Sequence, residues 1–137
     1  MYKTDDKGNT HILQFTAENA WLTDLGSFYG QKISKLNIDT LEDTMVLQIT
    51  YDNLITLYQR APKFDRIFRV LMENSFIRLQ ERLLQNISST AEERYHSFMQ
   101  AYSHLSNRLP QIQIAAFLGI TPEFLSRIRN NRSKQKT

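Results

Sequence analysis

Four polar residues near the C-terminal end, Glu123, Ser126, Arg127 and Asn130, recur at three- and four-residue steps. On a helix that spacing lines them along one face. A guanidinium donates two parallel hydrogen bonds to the O6/N7 edge of guanine, a carboxylate accepts from a cytosine amino group, and a serine hydroxyl adapts to either role. Arg129, Arg132, Lys134 and Lys136 accompany them and suit backbone phosphates. The chemistry on offer is hydrogen bonding to base edges, with a lone acid that discriminates between bases rather than adding affinity.

Other chemistries find less support. The chain has no cysteine, which excludes disulfides, zinc–thiolate sites, thiol catalysis and cysteine-held iron–sulfur clusters. His11, His96 and His104 fall on separate predicted elements with no nucleophile or acid–base arrangement beside them, so the chain is not expected to be an enzyme. His96 and His104 stand eight residues apart, where a metal pair on one helix sits three or four apart. Charge is uneven: residues 1–60 carry 5 Lys/Arg against 8 Asp/Glu, and residues 61–137 carry 12 against 6. A basic C-terminal half fits a polyanionic partner, with a solvated tail as the blander reading.

The elements around the polar face decide between those readings. In the window that starts at Gln111, apolar Ile114, Leu118, Ile120, Leu125 and Ile128 occupy the fourth, eighth, tenth, fifteenth and eighteenth positions, the spacing of a helix-turn-helix. Ala115 is small where two helices would cross. Gly119 stands at the turn, where a positive φ costs glycine least. Thr121, Pro122 and Glu123 supply an N-cap, a proline at the first helical position and an acid in the first turn. A helical hairpin that merely packs is the competing reading.

Upstream, Asp6-Lys7-Gly8-Asn9 predicts a turn leading into a strand at His11–Phe15, and Lys35–Leu41 and Met45–Ile49 read as further antiparallel strands. Leu25–Gly30, with its glycines and aromatics, reads as a loop or short helical turn packed on the sheet. Thr50 is placed to cap a short helix that ends before Ala61-Pro62. A long helix is predicted from Pro62 to about Ile87, its apolar stripe including Phe68, Leu71 and Leu79, with Ser75 in the same register. That helix serves as core, as a dimer seam through Phe68, Leu71, Ser75 and Leu79, or as both. Ser89 with Glu92 predicts a capping box at a domain boundary, and Tyr95, Phe98, Met99 and Tyr102 line the core face of the following helix.

Together these features resemble the Crp/Fnr superfamily of bacterial transcription regulators over almost the whole chain. Ala115 to Ile128 looks like the family's helix-turn-helix, and Glu123-x-x-Ser126-Arg127 matches the Fnr-type reading triplet. The resemblance implies TTGAT-like half-sites and a cyclic-nucleotide-binding-like β-roll. Thr23-Asp24-Leu25-Gly26-Ser27-Phe28 is similar to the family's phosphate-cassette lead-in. Ser34 stands where cyclic-nucleotide binders carry arginine, so the charge-assisted contact to a cyclic phosphate is missing and no cofactor is expected. Family members carry further β-roll strands ahead of this segment and a β-hairpin wing after the recognition helix, and neither is evident here.

The expected architecture is thus α+β: a partial antiparallel β-roll over residues 1–61, a long dimerisation helix over 62–88, and a wingless helix-turn-helix domain over 89–137. The expected activity is that of a dimeric, cytoplasmic regulator that binds double-stranded DNA, with RNA polymerase as a further partner and no membrane association. The alternative is a protein-interaction module that docks a partner through the helical domain.

Overall fold

A computed structural model describes residues 1–135, with side chains through Asn131. Among the described residues the fold is α+β, six helices and one two-stranded antiparallel sheet. The strands β1 (Tyr2–Thr4) and β2 (Thr10–Ile12) form a hairpin in which Tyr2 faces Ile12 and Thr4 faces Thr10. Its turn forms where the sequence predicts it. The Asp5 carboxylate accepts from the backbone N–H groups of Lys7 (3.0 Å) and Asn9 (2.8 Å), and Gly8 takes the positive φ of 83° that the reversal requires.

The expected β-roll does not form. Lys35–Leu41 contributes one bridge, between Asn37 and Tyr2, and Met45–Ile49 contains no strand. Met45 and Leu47 are 94% and 98% exposed. An apolar run becomes a strand only when a neighbouring chain segment accepts its backbone hydrogen bonds along its length, and here ladder pairing is limited to Asn37 with Tyr2. Leu25–Gly30 forms a short helix, α1, whose first N–H groups are held by the Asp24 carboxylate; none of its residues is buried.

The remaining helices follow local sequence signals closely. Helix α2 (Tyr51–Arg60) starts at the Thr50 cap, and α3 (Pro62–Ser88) starts with proline at its first turn. Helix α4 (Ala91–Ala101) begins one residue later than predicted. Its capping box joins Thr90 and Glu93, in place of Ser89 and Glu92, and Thr90 N–H donates to the Glu93 carboxylate at 2.7 Å. Helices α5 (Gln111–Leu118) and α6 (Pro122–Gln135) complete the described residues.

The chain divides into two compact units, and the division differs from the three consecutive segments expected from sequence. One unit joins residues 1–42 to residues 90–137, and the other comprises residues 43–89. The boundary at Ser89/Thr90 falls one residue after the predicted one. The other falls after Glu42 rather than at Ala61/Pro62, because the N-terminal segment shares the core of the C-terminal helices. Ile12 and Phe15 are buried in one cluster with Tyr95, Phe98, Phe117 and Leu125. Phe15 lies 5.3 Å from Phe117 and 6.2 Å from Phe98, ring centroid to centroid, distances at which aromatic pairs attract. Arg108 adds a polar clasp to the same unit, pairing with both Glu18 and Glu42.

The second unit is α2 against α3. Leu54 is buried, and Phe68 is covered by Tyr58 and Phe64, whose ring centroids lie at 5.7 and 6.1 Å. No helix among the described residues is long and apolar enough to cross a membrane.

Candidate nucleic-acid interface

The turn between α5 and α6 is fixed by three local devices. Gly119 ends α5 in the left-handed conformation (φ 68°, ψ 36°), and its N–H and that of Ile120 both reach the carbonyl of Ala115. Thr121 then caps α6, its Oγ1 accepting from Phe124 N–H at 3.2 Å while its carbonyl accepts from Leu125 N–H. Pro122 occupies the first helical position. All three belong to residue types whose backbone preferences demand little from the rest of the fold, so the turn is legible from sequence.

Packing then determines which face of α6 is free. Ile114, Ala115 and Leu125 are each 1% exposed, with Phe117, Leu118 and Ile128 also buried and Ile120 partly so. Ala115 is therefore buried as its small size suggests. Glu123, Ser126, Arg127, Arg129 and Asn130 are exposed. The structure thus gathers the four candidate base-reading residues on the solvent side of one helix with Arg129 beside them. The side chains of Arg132 and Lys134, and all of Lys136, lie outside the described residues.

Contacts within this face order its side chains. The Arg127 guanidinium carbon lies 5.2 Å from the centroid of the Phe124 ring, within the range of a cation–π interaction. The Glu123 carboxyl is held below its usual range, first by its own backbone N–H, then by the Thr121 side chain, with a smaller contribution from Arg127. Glu123 is thus an anion at neutral pH, able to accept a hydrogen bond but not to donate one.

Arg94 supports the turn from outside. Its Nη2 reaches across from α4 to donate to the Leu118 carbonyl at 3.2 Å. This satisfies a C-terminal carbonyl of α5 and sets a positive charge at the negative end of that helix. Sequence reasoning misses Arg94 and Phe124. Arg94 acts on a residue 24 positions away and leaves no local signature, whereas Phe124, three residues before Arg127, forms a readable pair with it.

The expected dimer-seam residues separate. Phe68 is consumed by the chain's own α2–α3 packing, which corrects its assignment to a seam. Leu71 and Ser75 are half-buried, Ser75 Oγ donating back to the Leu71 carbonyl, and Leu79 is 62% exposed.

The cassette-like segment borders an open groove of about 660 Å³ lined in part by Leu22, Phe28, Ile33 and Ile38. At its edge the Asp24 carboxylate receives Gly26 N–H (3.1 Å), Ser27 N–H (3.4 Å) and the Ser34 hydroxyl (2.7 Å). The donors that would greet a phosphate are occupied by the chain's own anion, whose charge opposes a second one. His11 pairs with Asp5 at 3.1 Å, and no group of three or more metal-ligating side chains assembles among the described residues. Comparison with known protein families, curated proteins and solved structures gives no match.

Proposed function

We propose that this chain is a sequence-specific DNA-binding transcription regulator of Crp/Fnr type, working as a homodimer on palindromic TTGAT-like half-sites. The observation that carries the reading is the partition of α6: Leu125 and Ile128 buried, Glu123, Ser126, Arg127 and Asn130 exposed, on a helix whose start is fixed by Gly119 and Thr121. A helix so seated presents its first two turns to the major groove, where Arg127 reads guanine, Glu123 reads cytosine, and Ser126 and Asn130 complete the contact. Arg129, with Arg132, Lys134 and Lys136, engages phosphates and makes binding salt-dependent.

The dimer seam in this reading runs along the C-terminal half of α3, where Phe76, Leu79, Leu83, Leu84 and Ile87 are between 58% and 76% exposed. A second copy would cover this surface, and a dimer that reads a palindrome needs its two recognition helices roughly 34 Å apart, one turn of DNA. RNA polymerase is the further partner that such a regulator would meet in the cytoplasm. The competing reading, a protein-docking module, draws on Ile112, 67% exposed on α5.

A gel-shift titration on a palindromic TTGAT-type site against scrambled DNA tests the proposal. Preferential binding of the palindrome that weakens steeply with salt is expected; equal affinity for both sequences at every salt concentration would sink it. Arg127→Ala separates the two readings: lost DNA binding with an intact fold favours a DNA reader, and unchanged DNA binding with loss of a protein partner favours the docking module.

A further inference from the structure

Arg127 is long and exposed, and a side chain of that kind normally samples many rotamers, all but one of which must be given up to make a planar two-bond contact. In this structure it is already restrained. The guanidinium carbon stands 5.2 Å from the Phe124 ring centroid, one helical turn back on the same surface. Phe124 is in turn partly buried, packed against the core cluster that contains Leu125 and Ile128, so the ring is anchored from beneath. Glu123, the other charged member of the face, has its carboxyl held below the usual range by its own backbone N–H and the Thr121 side chain, with the charge of Arg127 adding to them. Resting on the DNA-reading proposal above, we infer that Phe124 is a positioning residue for base recognition, its anchored ring holding the Arg127 guanidinium in place on the reading face before DNA arrives.

The consequence is a division of labour on α6. Phe124 touches no base. It lowers the ordering cost of Arg127 and thereby sharpens discrimination between sequences, whereas attraction to phosphate is left to Arg129 and the basic residues that follow. A residue that served only to fill the core would affect stability and binding to all sequences together.

The test compares the whole chain with Phe124→Leu, which keeps apolar bulk but removes the ring, and Phe124→Tyr, which restores a ring. Affinities for a palindromic TTGAT-type duplex and a scrambled duplex are measured across a salt series, and the Arg127 side-chain Nε–H resonance is followed by NMR without DNA. Thermal unfolding monitors the fold of each variant. The expected result for Phe124→Leu is a loss of discrimination of about threefold per recognition helix, hence about tenfold for a pair, with an unchanged salt slope. Its Arg127 resonance should lose the ring-current displacement expected of the wild type, and Phe124→Tyr should recover both properties.

A Phe124→Leu protein that discriminates as the wild type does, or whose Arg127 resonance does not move, overturns the inference. A wild type that itself fails to discriminate overturns the DNA reading on which the inference rests. The two failures are told apart because the resonance reports on Phe124 and Arg127 with no DNA present.

Discussion

The two compact units use apolar side chains in opposite ways. In the unit formed by residues 1–42 and 90–137, segments from both ends of the chain converge, and Ile114, Ala115 and Leu125 are 1% exposed. In the unit formed by residues 43–89, only Leu54 and Phe68 are buried, while eight large apolar residues of α3 remain between 44% and 76% exposed. Length explains much of the contrast. Helix α3 has 27 residues and α2 has 10, so at about 1.5 Å per residue one partner of about 15 Å lies beside a helix of about 40 Å. Apolar composition creates the demand for burial, and the number of opposing surfaces decides whether it is met.

The sharpest way to break this comparison is to cut into both surfaces. Leu125→Ala should destabilise the first unit by about 2–5 kcal/mol in urea denaturation, because the side chain is fully enclosed and leaves a cavity. A loss below about 1 kcal/mol would show that α5 and α6 do not share the core described here. The paired substitution Leu79→Glu and Leu83→Glu should leave far-UV circular dichroism intact, yet break the dimer proposed above, so that light scattering reads two chains for the wild type and one for the variant. An unchanged mass would remove the exposed half of α3 as the seam.

Smaller effects refine the first unit. At Gly119 a β-carbon would meet nothing within 4 Å, but φ is 68°, so Gly119→Ala should cost about 1–2 kcal/mol in backbone strain alone. Thermal unfolding that matched the wild type would argue against the left-handed turn. The last prediction concerns acid. Glu18 is held down to about 2 from the usual 4.5, chiefly by hydrogen bonding to Arg108, and Glu42 is lowered for the same reason. A depressed carboxyl contributes stability that is complete above its unfolded value and is lost as pH falls toward its folded one. The clasp should therefore weaken between pH 4.5 and about 2. Arg108→Gln should flatten stability against pH over that window, because the contribution that acid removes is then absent at neutral pH as well. Parallel pH profiles for the two proteins would count against the clasp.

The helical half of this molecule is largely readable from its residues, and the reason is the range of the interactions involved. Caps at Thr50 and Thr121, Pro62 and Pro122 at helix starts and Gly119 at a helix end all act within about four residues, so their types and order are sufficient to place them. The periodicity of Ile114, Leu118, Leu125 and Ile128 likewise foretells which face of each helix is buried, and so which face of α6 carries Glu123, Ser126 and Arg127. Even here the capping box at Thr90 and Glu93 lies one residue from its predicted place. Ser89 and Thr90 both carry a capping hydroxyl, and Glu92 and Glu93 both stand three residues on, so the two registers compete on nearly equal chemical terms.

What the sequence alone determined, then, was where helices start and stop and how polar and apolar residues divide between their faces. Tertiary structure decided which segments meet. The runs at Lys35–Leu41 and Met45–Ile49 have the patterning of strands, but a strand exists only through a distant partner, and the pairing along them stops at the single Asn37–Tyr2 bridge. Phe15 joins Phe98 and Phe117 rather than a β-roll, Arg94 reaches the end of α5, and Arg108 ties Glu18 to Glu42. The polar contacts among these span from 24 to 90 residues of chain, and their geometry is set by packing of the whole unit rather than by any local preference.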